Sequence, residues 1–185
     1  MKKPMIVVLV LAVVLFLWSL SSYNGLVRKR EGVNEAWAQV ENVLQRRYDL
    51  IPNLVETVKG YAKHEKDLLE DIARLRSQWG AASTATDKIK ASGALEGSLG
   101  RLLVVLENYP NLKADQSFLK LQDELAGTEN RIAVERKRYN EIVRAYNTEV
   151  RTFPAAIFAR LFGFEPHPYF EAPAAAKEAP KVSFQ

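Results

Sequence analysis

From Pro4 to Ser22 the chain carries no charged residue, and from Met5 to Trp18 every side chain is apolar. These 19 residues form roughly 28 Å of helix at 1.5 Å per residue, enough to cross a hydrocarbon core. Such a segment is either a membrane span or a signal peptide, and Lys2 and Lys3 ahead of it would serve as the positive n-region of the latter. Ser19 and Ser21 offer small residues for a cleavage site, yet the run is long and ends in the bulky Phe16, Leu17 and Trp18. Trp18 and Tyr23 suit the interfacial belt, so residues 1–23 are read as an uncleaved anchor. Lys2, Lys3 and the α-amino group nearly balance Arg28, Lys29 and Arg30 across the span. The short N-terminal tail and the lack of cysteine favour an N-terminus inside the cytoplasmic membrane and a body on the extracytoplasmic side.

The chain beyond the anchor is long enough for one domain with a real core. With no cysteine, disulfides, thiolate metal sites and a cysteine nucleophile are excluded, and only two histidines are present. No cofactor or metal is expected. The net charge of +4 suits a neighbour of anionic lipid and is too small to argue for nucleic acid.

The apolar rhythm beyond Tyr23 is helical throughout. Leu26, Val33, Trp37, Val40 and Leu44 mark an amphipathic helix to about Tyr48. Pro52 then either opens a new helix or kinks a longer one. Ile51, Leu54, Val58, Tyr61, Leu68, Ile72, Leu75 and Trp79 keep the same rhythm across it, so one kinked helix of about 55 residues is an alternative to a turn. Thr84 with Asp87 has capping-box spacing, and the helix it opens presents Leu95, Leu99, Leu102, Leu103 and Leu106. Gly93, Gly97 and Gly100 weaken that helix unless close packing exploits them. Tyr109-Pro110-Asn111 ends it in a turn. The last helix is the most regular, with Phe118, Leu121, Leu125, Thr128, Ile132, Glu135, Tyr139, Ile142, Tyr146, Glu149 and Phe153 at three-four spacing. Residues 154–170 are rich in aromatics and prolines, and 171–185 read as a disordered tail.

These residues resemble the LemA family. The resemblance is carried by Tyr23-Asn24, by the run from Gln45-Arg46-Arg47-Tyr48-Asp49 through Pro52-Asn53 to Glu56, and by Val58-Lys59-Gly60-Tyr61-Ala62. It continues through Tyr109-Pro110, Thr128-Glu129-Asn130-Arg131-Ile132, Tyr139-Asn140, Tyr146-Asn147 and Phe153-Pro154, spanning most of residues 20–170 in order. It implies an all-α protein: an N-terminal transmembrane helix followed by an antiparallel four-helix bundle with long helices, here residues 24–153. It also implies bacterial origin, no established enzymatic activity, and a turn at Pro52. One related branch is associated with magnetosome membranes, and members tend to occur beside membrane proteases.

Several clusters can carry interactions. Arg46, Arg47 and Asp49 are expected at a helix end, where Asp49 can cap or pair; Arg47 falls on the apolar rhythm and, if buried, needs a carboxylate such as Glu129 or Glu135. Tyr139-Asn140 and Tyr146-Asn147 lie seven residues apart on one face, either as interhelical packing or as a self-assembly or peptide-binding surface. His64-Glu65 has no second histidine at Leu68, so a zincin-type motif fails. Arg131, Arg138, Arg144 and Arg151 form a basic stripe, solvated or bound to anionic headgroups. Phe153, Phe158 and Phe162 belong to a short segment that packs on the bundle, on a second protomer or in the membrane interface. The expected partners are the lipid bilayer, further copies of the chain as a homo-oligomer, and an envelope protein, with no nucleic acid and no small-molecule substrate. The functions these allow are a scaffold of the bacterial envelope or an adaptor for a membrane protease, both in the cytoplasmic (inner) membrane.

Overall fold

The computed structural model describes residues 2–171, so the tail expected at 171–185 falls outside the described residues except for Glu171. The described chain is all-α: α1 Lys2–Tyr61, α2 Lys66–Ala81, α3 Ala85–Val105, α4 Pro110–Lys113, α5 Gln116–Arg151 and α6 Ala155–Leu161. Single 3-10 turns at Lys63–Glu65 and Leu106–Asn108 complete the order. The described residues form two compact units, one of the chain up to Ala38 with Lys137–Tyr169 and the other of Gln39–Arg136 with Phe170 and Glu171. The aromatic segment therefore belongs, up to Tyr169, to the unit that holds the apolar N-terminal helix.

In the first unit the start of α1 exposes its whole apolar run from Met5 to Trp18, as a lipid-facing span would, and Leu26 is the first fully buried residue after it. Leu26, Val33 and Ala36 of α1 are buried, as are Tyr139, Val143, Tyr146, Asn147 and Val150 of α5. Trp37 meets Tyr139 edge to face at 5.6 Å, and Lys29 pairs with Glu149. The C-terminus of α6 is closed by Gly163 at φ 69°, which lets the Phe164 amide return to the Ala159 carbonyl at 2.8 Å. That is the Schellman arrangement, and its left-handed residue favours glycine.

In the second unit the expected turn at Pro52 is absent, which corrects the resemblance: α1 runs through Pro52 to Tyr61. A proline inside a helix removes the hydrogen bond to the carbonyl four residues earlier, here that of Tyr48. The Arg76 Nε–H donates to that carbonyl at 3.0 Å, so the orphaned acceptor is satisfied from α2 and the helix continues. Arg76→Met is expected to lower stability by about 1–3 kcal/mol, the range for stranding a polar group away from water. In a Pro52→Ala background the backbone donor returns and the same change becomes nearly neutral, which chemical denaturation of the four variants would show.

The single kinked helix fails as well, because the chain breaks at Ala62–Glu65. Tyr61 is exposed and Ala62 buried, and on α2 Leu69 rather than Leu68 joins Ile72, Leu75 and Trp79 inside. The cap of α3 forms as expected, with Thr84 Oγ1 accepting from the Asp87 amide at 3.1 Å. Thr84→Ala should cost about 1 kcal/mol, seen as a lower urea midpoint at unchanged slope. Leu95, Leu99, Leu102 and Leu106 face inward, whereas Leu103 is exposed.

The glycines of α3 are not used for close approach, since a Cβ on Gly93, Gly97 or Gly100 would meet nothing within 4 Å. The fully buried small residues are Ser92 and Ser98, whose hydroxyls donate to the Ile89 carbonyl at 2.8 Å and to Asp71 at 2.9 Å. The run of α3 and its 3-10 turn stops at Asn108, ahead of Tyr109-Pro110 as expected, and Pro110 opens α4 at its first turn. Asp115 then caps α5, its Oδ1 accepting from the Ser117 and Phe118 amides at 2.9 and 3.0 Å while Tyr61 donates to its other oxygen at 3.0 Å. The Phe118 amide, followed by the Tyr61 hydroxyl, holds the Asp115 carboxyl below its ordinary value.

Candidate interaction surfaces

Two groups of interacting side chains emerge, one in each unit. In the second unit the Arg46-Arg47-Tyr48-Asp49 cluster lies in mid-helix, not at a helix end, so Asp49 caps nothing. Arg46 and Asp49 are exposed, and Asp49 instead accepts from Gln45 one turn earlier at 2.7 Å. Arg47 is buried and pairs with Glu129 of α5. Beside it Arg136 of α5 pairs with Glu96 of α3, both side chains nearly enclosed. The Arg47 and Arg136 Nε atoms are buried without partners among the described residues. Burial pushes the Glu96 carboxyl up despite the attraction of Arg136, and Glu129 adds to the rise. Tyr48 packs edge to face on Trp79 at 4.2 Å, and burial raises its phenol strongly, with Glu96 contributing. Two guanidiniums and two carboxylates thus stitch α1, α3 and α5 together. The sequence pointed to Arg47 through its place on the apolar rhythm. Glu96 and Arg136 it missed, because neither lies on an apolar repeat.

In the first unit Tyr139, Tyr146 and Asn147 face inward and Asn140 is half-buried. Their face holds the chain's own extended segment after α6. The Asn147 carboxamide donates to the His167 carbonyl and accepts from the His167 amide, both at 2.8 Å. Tyr139 donates to the Pro168 carbonyl at 2.9 Å, and burial pushes its phenol up to about 12. Tyr146 meets the His167 ring edge to face at 5.2 Å, and its buried hydroxyl has no partner among the described residues. This face therefore packs against backbone of the chain's own segment after α6.

The aromatic segment divides. Phe158 and Phe162 are engaged by α1, through Trp18 at 5.1 Å and Tyr23 at 5.0 Å, while Phe153 is 82% exposed. Arg30 lies over the Phe164 ring at 4.9 Å. The basic stripe on α5, Arg131, Arg138, Arg144 and Arg151, is solvent-exposed throughout. Among the described residues no group of three or more histidines and carboxylates could hold a metal ion.

The model of the LemA family matches residues 36–184. Magnetosome protein MamQ 2 of Paramagnetospirillum magneticum is 26% identical over 90% of this chain and 71% of the relative. Magnetosome protein MamQ of Magnetospirillum gryphiswaldense is 27% identical over 92% and 73%. Protein LemA of Metamycoplasma hominis is 24% identical over 70% of this chain and 60% of its own length. The exposed apolar start of α1 adds single-pass membrane anchoring to this all-helical body, and with the family model covering most of its length the chain belongs to the LemA family.

Proposed function

We propose that this protein is a non-enzymatic scaffold that self-associates and organises a patch of the bacterial envelope. It is held in the inner membrane by α1, with its helical body on the extracytoplasmic side. The observation that carries the reading is the unbroken passage of α1 out of the membrane segment. Residues up to Trp18 are exposed and apolar, Leu26 and Val33 are buried, and no linker intervenes. A body joined to its anchor by continuous helix transmits position in the membrane without a hinge, and confinement to two dimensions raises the effective concentration of weak lateral contacts. The buried ion pairs join helices instead of lining a cleft, which favours structure over catalysis. In the second unit α1, α2, α3 and α5 form the antiparallel four-helix bundle, supported by the pairing of Arg47 with Glu129 and of Tyr61 with Asp115. Relatives named as magnetosome proteins support a role at membranes.

The test is the mass and shape of the full-length protein in lipid nanodiscs, by light scattering and negative-stain imaging. A defined multimer is expected, and a monomer at every concentration would sink the scaffold. A second reading, an adaptor for a membrane protease or another envelope protein, draws on the face that binds the His167 backbone through Asn147. A partner's extended segment could compete there, and one-to-one capture of a single envelope protein, lost in Asn147→Ala, would favour it.

A further inference from the structure

Twenty helical residues beyond Lys3 reach Tyr23, a length of about 30 Å that matches the hydrocarbon core. Trp18 lies five residues before Tyr23, about 7.5 Å back along the helix. Any side chain packed against Trp18 therefore sits at or below the level of the lipid headgroups. Phe158 of α6 makes that contact, with Phe162 on Tyr23 one turn further on. This stripe pins α6 to the membrane end of α1. On α6 itself Ile157 and Leu161, four residues apart, are 57% and 71% exposed, and Phe153, in the turn that leads into α6, is 82% exposed. At this depth such exposure to water is replaced by exposure to lipid.

Next to these side chains lies an open cleft of about 1010 Å³, with Val150, Ile157, Leu161 and Phe164 among its apolar walls and Arg151 and Arg160 at its edge. Both arginines are exposed. Glu165 also lines the cleft, so its charge is net positive by one. We propose that α6 is a second membrane element, lying in the leaflet remote from the N-terminus, and that the cleft seats one anionic phospholipid. Phe153, Ile157 and Leu161 lie among the acyl chains while Arg151 and Arg160 hold the phosphate. Short amphipathic helices with large apolar groups on one face and arginine at the rim bind interfaces in this way, and guanidinium is the side chain best matched to phosphate. The occupant is argued from continuity: the patch adjoins the span that already lies in lipid, at the depth that Trp18 sets.

The absence of cysteine makes the depth directly measurable in the full-length chain. Nitroxide labels at Ile157→Cys and Leu161→Cys, in nanodiscs of mixed zwitterionic lipid and phosphatidylglycerol, are compared with Leu15→Cys in the span and Glu141→Cys on exposed α5. Both are expected to resemble Leu15 in favouring oxygen over a water-soluble nickel chelate as relaxant. Accessibility like that of Glu141 would overturn the placement of α6. Native mass spectrometry then counts retained phosphatidylglycerol in the natural sequence and in the Arg151→Gln/Arg160→Gln double variant. Retention is expected to weaken about 30-fold, at roughly fivefold per cation near an anionic surface. Unchanged retention would overturn the headgroup site, and displacement of the lipid by excess inorganic phosphate would assign the arginines to a free anion instead. None of these readouts depends on whether the protein self-associates.

Discussion

Arg136→Met is expected to destabilise the second unit by about 3–5 kcal/mol, because it leaves the Glu96 carboxylate enclosed without its partner. The pair joins α5 to α3 with both side chains nearly shielded from water, and Arg136 also lies 4.3 Å from the centre of the Phe170 ring. Burial already lifts the Glu96 carboxyl above its ordinary value in the presence of Arg136, so desolvation outweighs the attraction even in the intact pair. Two consequences separate this account from a simple loss of contacts. The double change Glu96→Leu/Arg136→Met should recover most of the loss, since it removes both buried charges together. The sign for acid is also fixed: a carboxyl whose folded value is raised penalises folding when ionised. The Arg136→Met defect should therefore shrink as the pH falls below the raised value toward that of the unfolded chain, near 4.5. Denaturant melts of the single and double variants across that range measure both, and additive losses would refute the argument.

Asn147→Ala should release the segment after α6, at a cost of about 2–4 kcal/mol for two lost hydrogen bonds and a stranded peptide group at His167. The change removes a side chain that bonds both polar atoms of one peptide residue, His167, in the first unit. Tyr139 still holds Pro168, so release is local. Amide exchange should quicken at His167 and Tyr169 and leave the buried amides of α5 slow. The latch also has a pH dependence. Burial, then the charge of Arg30, lowers the His167 imidazole below 6.5. Its contribution is complete above pH 6.5 and is lost as the pH falls toward the lowered folded value, where the unfolded segment takes up the proton first. Intrinsic-rate-corrected exchange at pH 7.5 and pH 5.5 should differ at His167 in the natural sequence; equal protection would remove the histidine from the latch.

This segment also bears on how self-association is best probed. Ending the chain at Thr152 would uncover Tyr139, Tyr146 and Asn147, whose faces are covered by residues beyond it. Assembly lost on truncation would not identify the aromatic segment as an interface, whereas substitution of the exposed Phe153 leaves that cover in place.

Periodicity made most of the helical inventory legible. On α5 the positions Phe118, Leu125, Ile132, Tyr139 and Tyr146, seven apart, are buried, and of the alternate seam positions Thr128 is buried while Leu121, Glu135, Ile142 and Glu149 are half-buried. The seam therefore tolerates carboxylates where it is half open. The Thr84 cap was legible for the same reason, since its physics is confined to four residues. The break after Tyr61 was not, because the heptad step runs straight through it, with Val55, Ala62 and Leu69 all buried, and its local mark, Gly60, is a helix-weakening residue of a kind that also stands inside α3.

What the sequence determined alone is whatever depends on neighbours along the chain: an apolar span, amphipathic helices, a cap, the need of Arg47 for a carboxylate. What only the tertiary structure decided is whatever depends on a group arriving from elsewhere. Pro52 breaks a helix unless a donor reaches the Tyr48 carbonyl, and Arg76, distant in sequence, supplies it. Phe153 and Phe158 read alike as residues, yet one is bare and the other rests on Trp18. Long-range contacts of this kind leave no periodic trace, since each is set by where two helices meet and not by the spacing within either.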